Sequence, residues 1–180
     1  MFTIKDGKGS GNKVEVNSDN ELVVTSIKKR PIEYATAKGD AYCWYTSDYS
    51  FSSNDTVMLV KNLDSDILYM DRIVLSCTTT TSFTIHIPGG IDKLSGSTTT
   101  DTNLQAGNTK SAKALGYYSE TNNWQSGSLM HVKVRANETV TVDMGGLSIM
   151  SGNGIGVDVN DDLSGGGYTA SCSVFGYYLK

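Results

Sequence analysis

Residues 129–144 read LMHVKVRANETVTVDM, and their alternation decides the fold. Met130, Val132 and Val134 alternate with Leu129, His131, Lys133 and Arg135. After Asn137-Glu138 the period returns, with Val140, Val142 and Met144 set against Thr139, Thr141 and Asp143. A period of two sends one set toward a core and the other toward water, which is the pattern of a half-buried strand. Two such runs around a turn predict a β-hairpin.

The same rhythm extends outward. Downstream, Ile155, Val157 and Val159 repeat it, and Tyr168 to Leu179 forms a last strand with Ala170, Cys172 and Val174 on one face. Upstream, strands are expected at 41–45, 56–60, 67–75 and 81–87, the last with Phe83, Ile85 and Ile87 aligned and Pro88-Gly89-Gly90 ending it. Val14-Glu15-Val16 and Leu22 to Ile27 read as short strands, the second closed by Pro31, which cannot donate to a ladder. The second half of Cys77 to Thr109, almost uncharged, reads as a long surface loop. No long window carries a helical period, and Ser111 to Leu115 allows one helical turn at most.

Roughly nine or ten strands, each with one apolar face, are satisfied by two antiparallel sheets packed together. The expected fold is therefore all-β, a jelly-roll-like antiparallel β-sandwich with an extended N-terminal arm. An immunoglobulin-type sandwich is the alternative, but Cys43, Trp44 and Cys77 do not match its Cys–Trp–Cys spacing. Residues 1–20 are assigned to the arm, because Gly7, Gly9 and Gly11 leave few side chains to pack, and 21–180 to one sandwich domain.

Composition agrees. Ser, Thr, Asn and Gly supply 71 of 180 residues, types that favour turns and strand surfaces over helix interiors. Leu, Ile, Val and Phe supply 40, enough for a core. A net charge of −4 disfavours nucleic acid as a partner. The start, Met1 to Asp6, turns charged at once and does not read as a signal peptide, and no apolar run is long enough to span a membrane. Cys43, Cys77 and Cys172 form no CxxC pair and read as reduced core thiols of a chain made in the cytoplasm.

Catalytic patterns are thin. There is no GxSxG elbow and no HExxH, and His86 and His131 fall on the polar faces of strands, where solvated histidines are expected. Asp158, Asp161 and Asp162, beside Gly152, Gly154 and Gly156, form the best oxygen-rich cluster for calcium, yet they lack EF-hand spacing. Gly7 to Lys13 is glycine-rich but leads into no helix, so it reads as a loose arm rather than a phosphate loop. The reading is a protein without catalytic residues or cofactor. Aromatic residues stand out near strand ends and loops: Tyr49, Tyr177, Tyr178 and, as candidates for surface recognition, Trp44, Tyr45, Tyr117, Tyr118 and Trp124. Such rings stack on sugars and anchor protein interfaces. Tyr177 and Tyr178 are neighbours on a strand, so one of them is expected outside, exposed or covered by a partner.

Several segments, in order, resemble a family of small tailed-phage structural proteins encoded near the capsid genes. They are DGKGSGNKVEVNS at 6–18, EYATAKGDAY at 33–42, a strand ending at Lys61-Asn62, and Ile149 to Asp158 before a closing strand. The stretch 88–128 and the three strand cysteines lie outside the shared pattern. The resemblance implies a virion component that decorates or cements the capsid, commonly as a trimer, with the major capsid protein as partner. On that reading the arm residues Phe2, Ile4, Lys5, Lys8, Lys13, Val14 and Val16 dock on the shell, adding backbone hydrogen bonds to a neighbour's open edge. The alternative is a carbohydrate-binding module or fibre-type adhesin that uses the aromatic residues on a host glycan.

Overall fold

The computed structural model describes residues 30–53, 55–87, 96–119 and 127–179, and the backbone of 15–16 and 22–23. The chain divides into two units, Met1–Arg30 and Pro31–Lys180. In the first, β1 (Glu15–Val16) and β2 (Leu22–Val23) pair antiparallel, Glu15 opposite Val23 and Val16 opposite Leu22. Leu22–Val23 takes its partner strand from within the N-terminal unit.

Pro31 does not close a strand. It opens the helix α1 (Pro31–Lys38), where its fixed φ suits the first turn and its missing N–H removes a donor that would have had no helical partner. Glu33 in the first turn and Lys38 in the last complement the helix dipole. Gly39 ends the helix at φ +72°, with its N–H donating to Thr36 O (3.0 Å) and Asp40 N–H to Ala35 O (2.9 Å), a Schellman arrangement. Ile32 and Ala35 face inward and pack with Ala41 and Tyr177. This answers the expectation for the tyrosine pair: both rings are buried, Tyr178 in the main core and Tyr177 beneath α1 of the same chain.

The strands that follow are β3 (Ala41–Tyr49), β4 (Thr56–Lys61), β5 (Leu68–Cys77), β6 (Thr81–His86), β7 (Ser97–Thr99), β8 (Asp101–Asn103), β9 (Leu115–Tyr118), β10 (Ser128–Val134), β11 (Thr139–Ile149), β12 (Gly154–Val159) and β13 (Ala170–Tyr178). They form a five-stranded sheet, order β11-β5-β13-β3-β8, and a six-stranded sheet, order β10-β6-β12-β4-β9-β7, with every pairing antiparallel. The pairings β3·β13, β4·β12, β5·β11 and β6·β10 are nested, first with last and inward, as in a long antiparallel ribbon rolled on itself. That nesting, with strands alternating between two facing sheets, is the jelly roll.

Three local expectations are corrected. β10 and β11 alternate as read, but they are not a hairpin: Val132 lies opposite Phe83 and Val140 opposite Leu75, in different sheets. The link between them, with Asn137 at φ +60°, crosses the sandwich beside the link from β5 to β6. The two crossings brace each other, Asn137 N–H donating to Cys77 O (2.9 Å) and Ala136 N–H to Thr80 Oγ1 (3.2 Å). The expected surface loop after Cys77 supplies the short strands β7 and β8, each at the edge of a sheet. Ser111 to Leu115 makes no helical turn and runs into β9.

The core lies between the sheets. Met58, Val60, Phe83, Ile85, Val157 and Val159 face Trp44, Ile73, Leu75, Cys172 and Val174. The three cysteines are free, Cys77 and Cys172 buried and Cys43 half-buried, and burial pushes the Cys43 thiol up to about 11. Among the described residues no helix is long and apolar enough to cross a membrane.

The cap at Gly39 carries a clear cost if changed. A Cβ there would stand 2.0 Å from Asn108 Nδ2, at a left-handed φ that side chains disfavour. Gly39→Ala is expected to lower stability by about 1–2 kcal/mol in urea unfolding, and an unchanged midpoint would show that the cap does not hold α1.

Candidate functional site

The candidate site is an open cleft of about 290 Å³ where the edges of the two sheets meet. Its floor comes from β3. The edge strand β8 pairs only with Tyr42, Cys43 and Trp44, so residues 45–49 run past its end and leave a ledge. β7 of the opposite sheet forms the other side, with Thr98, Thr99 and Thr100 lining the cleft. The Thr99 hydroxyl donates to Tyr45 O (2.8 Å), which ties the two sheet edges together and sets the width. Tyr45 is 50% exposed and Tyr49 43% exposed. The Tyr49 ring is braced by Phe51 at 4.9 Å and, edge-on, by Tyr118 at 5.8 Å. Such contacts hold a ring in place before any ligand arrives.

The predicted aromatic residues divide. Tyr45, Tyr49 and Tyr118 all line the cleft, but only Tyr49 and Tyr118 are in ring contact. Across a bulge in the β3·β13 pairing Tyr49 falls opposite Ala170, on the core side of the strand, and Tyr45 opposite Ser173, on the outer side. Trp44 does not belong to any surface: it is 0% exposed, and its Nε1 donates to Ala114 O at 3.3 Å. The reason is strand parity, since Trp44 and Tyr45 are successive residues and must point to opposite faces. Tyr117 is half-buried opposite Leu59 in the six-stranded sheet, outside the cleft. Trp124 lies outside the described residues, as do Phe2, Ile4, Lys5, Lys8, Lys13 and Val14, while Val16 falls in β1. The threonines of β7 escaped the sequence reading because a Thr run gives no sign of which sheet edge it will join.

The polar residues correct the sequence reading more sharply. His86 is not solvated: it is 5% exposed, with Nε2 3.0 Å from Asp158 Oδ2. The Thr56 hydroxyl donates to Asp158 Oδ1 (2.7 Å). Burial, outweighing these bonds and the nearby imidazole, raises the Asp158 pKa above the ordinary carboxylate value. His86 Nδ1 is buried without a hydrogen-bond partner. His131, by contrast, is exposed, and its Nδ1 lies 2.9 Å from Thr84 Oγ1.

The calcium candidates do not converge. Asp158 is held inside by Thr56 and His86. Asp161 accepts from the Thr81 hydroxyl (2.6 Å) and Ser82 N–H (2.9 Å), bonds that lower its pKa. Asp162 is engaged locally by Ser164, through its N–H (2.9 Å) and its hydroxyl (2.6 Å). Among the described residues no group of three or more His, Cys, Asp or Glu is placed to hold a metal ion. No protein-family model and no curated protein matches the chain.

Two outcomes follow. Trp44→Ala is expected to cost about 3–5 kcal/mol in chemical unfolding, whereas Tyr45→Ala next to it should leave stability within about 0.5 kcal/mol. A similar loss for both would contradict the assigned faces. For Asp158, the folded state binds a proton more readily than the unfolded chain, so its contribution to stability falls as pH rises through the folded value. Relative to Asp158→Asn, the native chain should gain stability as pH is lowered from roughly 7 to 4, with His86 and Asp55 as the titratable neighbours. Urea unfolding at stepped pH tests this, and a pH-independent difference would refute it.

Proposed function

We propose that the protein is a non-enzymatic structural component of a tailed-bacteriophage virion, decorating or cementing the outer surface of the capsid. The observation that carries the reading is the division of the chain at Arg30, with the whole jelly roll built from Pro31 onward. A decoration protein needs that separation, because a folded body can then be displayed while a distinct N-terminal unit makes the attachment. The resemblance in residues 6–18 and 33–42 spans the same junction.

On this reading the N-terminal unit, with Val16 in β1 and Phe2, Ile4, Lys5, Lys8, Lys13 and Val14 before it, contacts the major capsid protein. Backbone addition to a sheet edge gives affinity without demanding particular side chains. Self-association as a trimer and repetition over a symmetric shell then multiply a weak single contact. Free cysteines suit a particle assembled in a reducing cytoplasm.

Mass spectrometry and electron cryo-microscopy of purified particles test the proposal. The full chain is expected on the capsid surface at symmetry-related positions. A chain starting at Pro31 should keep cooperative unfolding and lose particle binding. Absence from the particle would refute the virion reading, and full docking by the shortened chain would refute the role of the N-terminal unit.

A further inference from the structure

The virion reading leaves the β3–β7 cleft unused, and its chemistry is specific. The lining combines three tyrosines with Ser and Thr residues and includes no charged residue. A phosphate-bearing or acidic ligand would call for cations there. A fatty or drug-like ligand would call for a mostly apolar wall. A sugar needs both of the features present. Its C–H face is apolar and lies against an aromatic ring, while its hydroxyls donate and accept, as Ser and Thr hydroxyls do.

We propose that the cleft binds the end of a neutral oligosaccharide, stacked on Tyr49 and hydrogen-bonded by Ser47, Thr98 and Thr100. The volume of about 290 Å³ stands at the small end of ligand sites, which begin near ~300 Å³, and suits a terminal sugar or a disaccharide rather than a long chain. Tyr49 is 43% exposed. Its ring is braced by Phe51 and Tyr118, so little side-chain freedom is lost on binding. The Thr99 bond to Tyr45 O holds the hydroxyl wall of β7 against the edge of β3. The site stands whether or not the protein belongs to a virion, since it rests on the body alone.

Saturation-transfer NMR on the full chain, against unmodified gluco-, galacto- and manno-oligosaccharides with a sulfated oligosaccharide and an extended peptide as counterparts, decides the matter. The expected result is millimolar-range binding of at least one neutral oligosaccharide, insensitive to salt. Tyr49→Ala should weaken it by roughly tenfold, while Tyr49→Phe, which keeps the stacking face, should retain most of the affinity. Melting curves of the variants should match the native chain, separating a lost contact from a lost fold. No neutral sugar bound at about 10 mM, binding unaffected by Tyr49→Ala, or preference for the sulfated oligosaccharide or the peptide would overturn the proposal.

Discussion

The indole of Trp44 sits where β3 meets β13, the first and last strands of the roll, with Trp44 opposite Val174 in the register. Room for it is made by glycines. A Cβ on Gly116 of β9 would stand 2.9 Å from Trp44 Cδ1, and one on Gly176 of β13 would stand 3.3 Å from Trp44 Cζ3. The ring therefore touches both sheets, and its one polar atom is satisfied by Ala114 O. Because β3 and β13 come from opposite ends of the body, this seat is complete only when the whole chain has returned. The nested pairings β4·β12 and β5·β11 lie inside it in sequence. A fold closed by its most distant pair pays loop-closure entropy before that contact is rewarded, which places it among slow folders.

That constraint explains what sequence could and could not convey. Alternation marks which residues face a core, and it located β10, β12 and β13 within a residue or two and the start of β11, which runs on past Met144 to Ile149. It says nothing about which strand lies alongside. Val132 and Val140 are close in sequence and alternate correctly, yet they pair with Phe83 and Leu75 in different sheets. The turn residues Asn137-Glu138 are as compatible with a crossing between sheets as with a hairpin. Helix α1 was hidden by its length: eight residues give two turns, too few for a period to emerge, and Pro31 at its start resembles a strand terminator. Its consequence, the burial of Tyr177, was hidden with it.

The site residues follow the same division. Tyr45 and Tyr118 were legible as aromatic types near strand ends, and parity alone separates exposed Tyr45 from buried Trp44. What parity cannot supply is depth on the outer face. His86 and Asp158 both fall on polar faces by alternation, and both are nonetheless enclosed and bonded to each other at 3.0 Å. An acid from β12 and an imidazole from β6 are brought together in the interior, a contact that offsets only part of the cost of burial and that no single strand's pattern reveals.

The cleft itself is a by-product of topology. The eight nested strands form a closed pattern, and β7, β8 and β9 all arise in the connection between the innermost pair, β6 and β10. That connection reaches outward to edge both sheets at once, placing β8 beside β3 and β7 beyond β9. Since β8 stops opposite Trp44, the ledge of Tyr45 to Tyr49 and the threonine wall of β7 come to face each other. One wall of the site thus belongs to the nested strands of the roll and the other to the connection between β6 and β10. Ala114 and Gly116 of that connection also seat Trp44, so only changes at positions such as Thr98 and Thr100 alter the hydroxyl wall while the body that displays it stays the same.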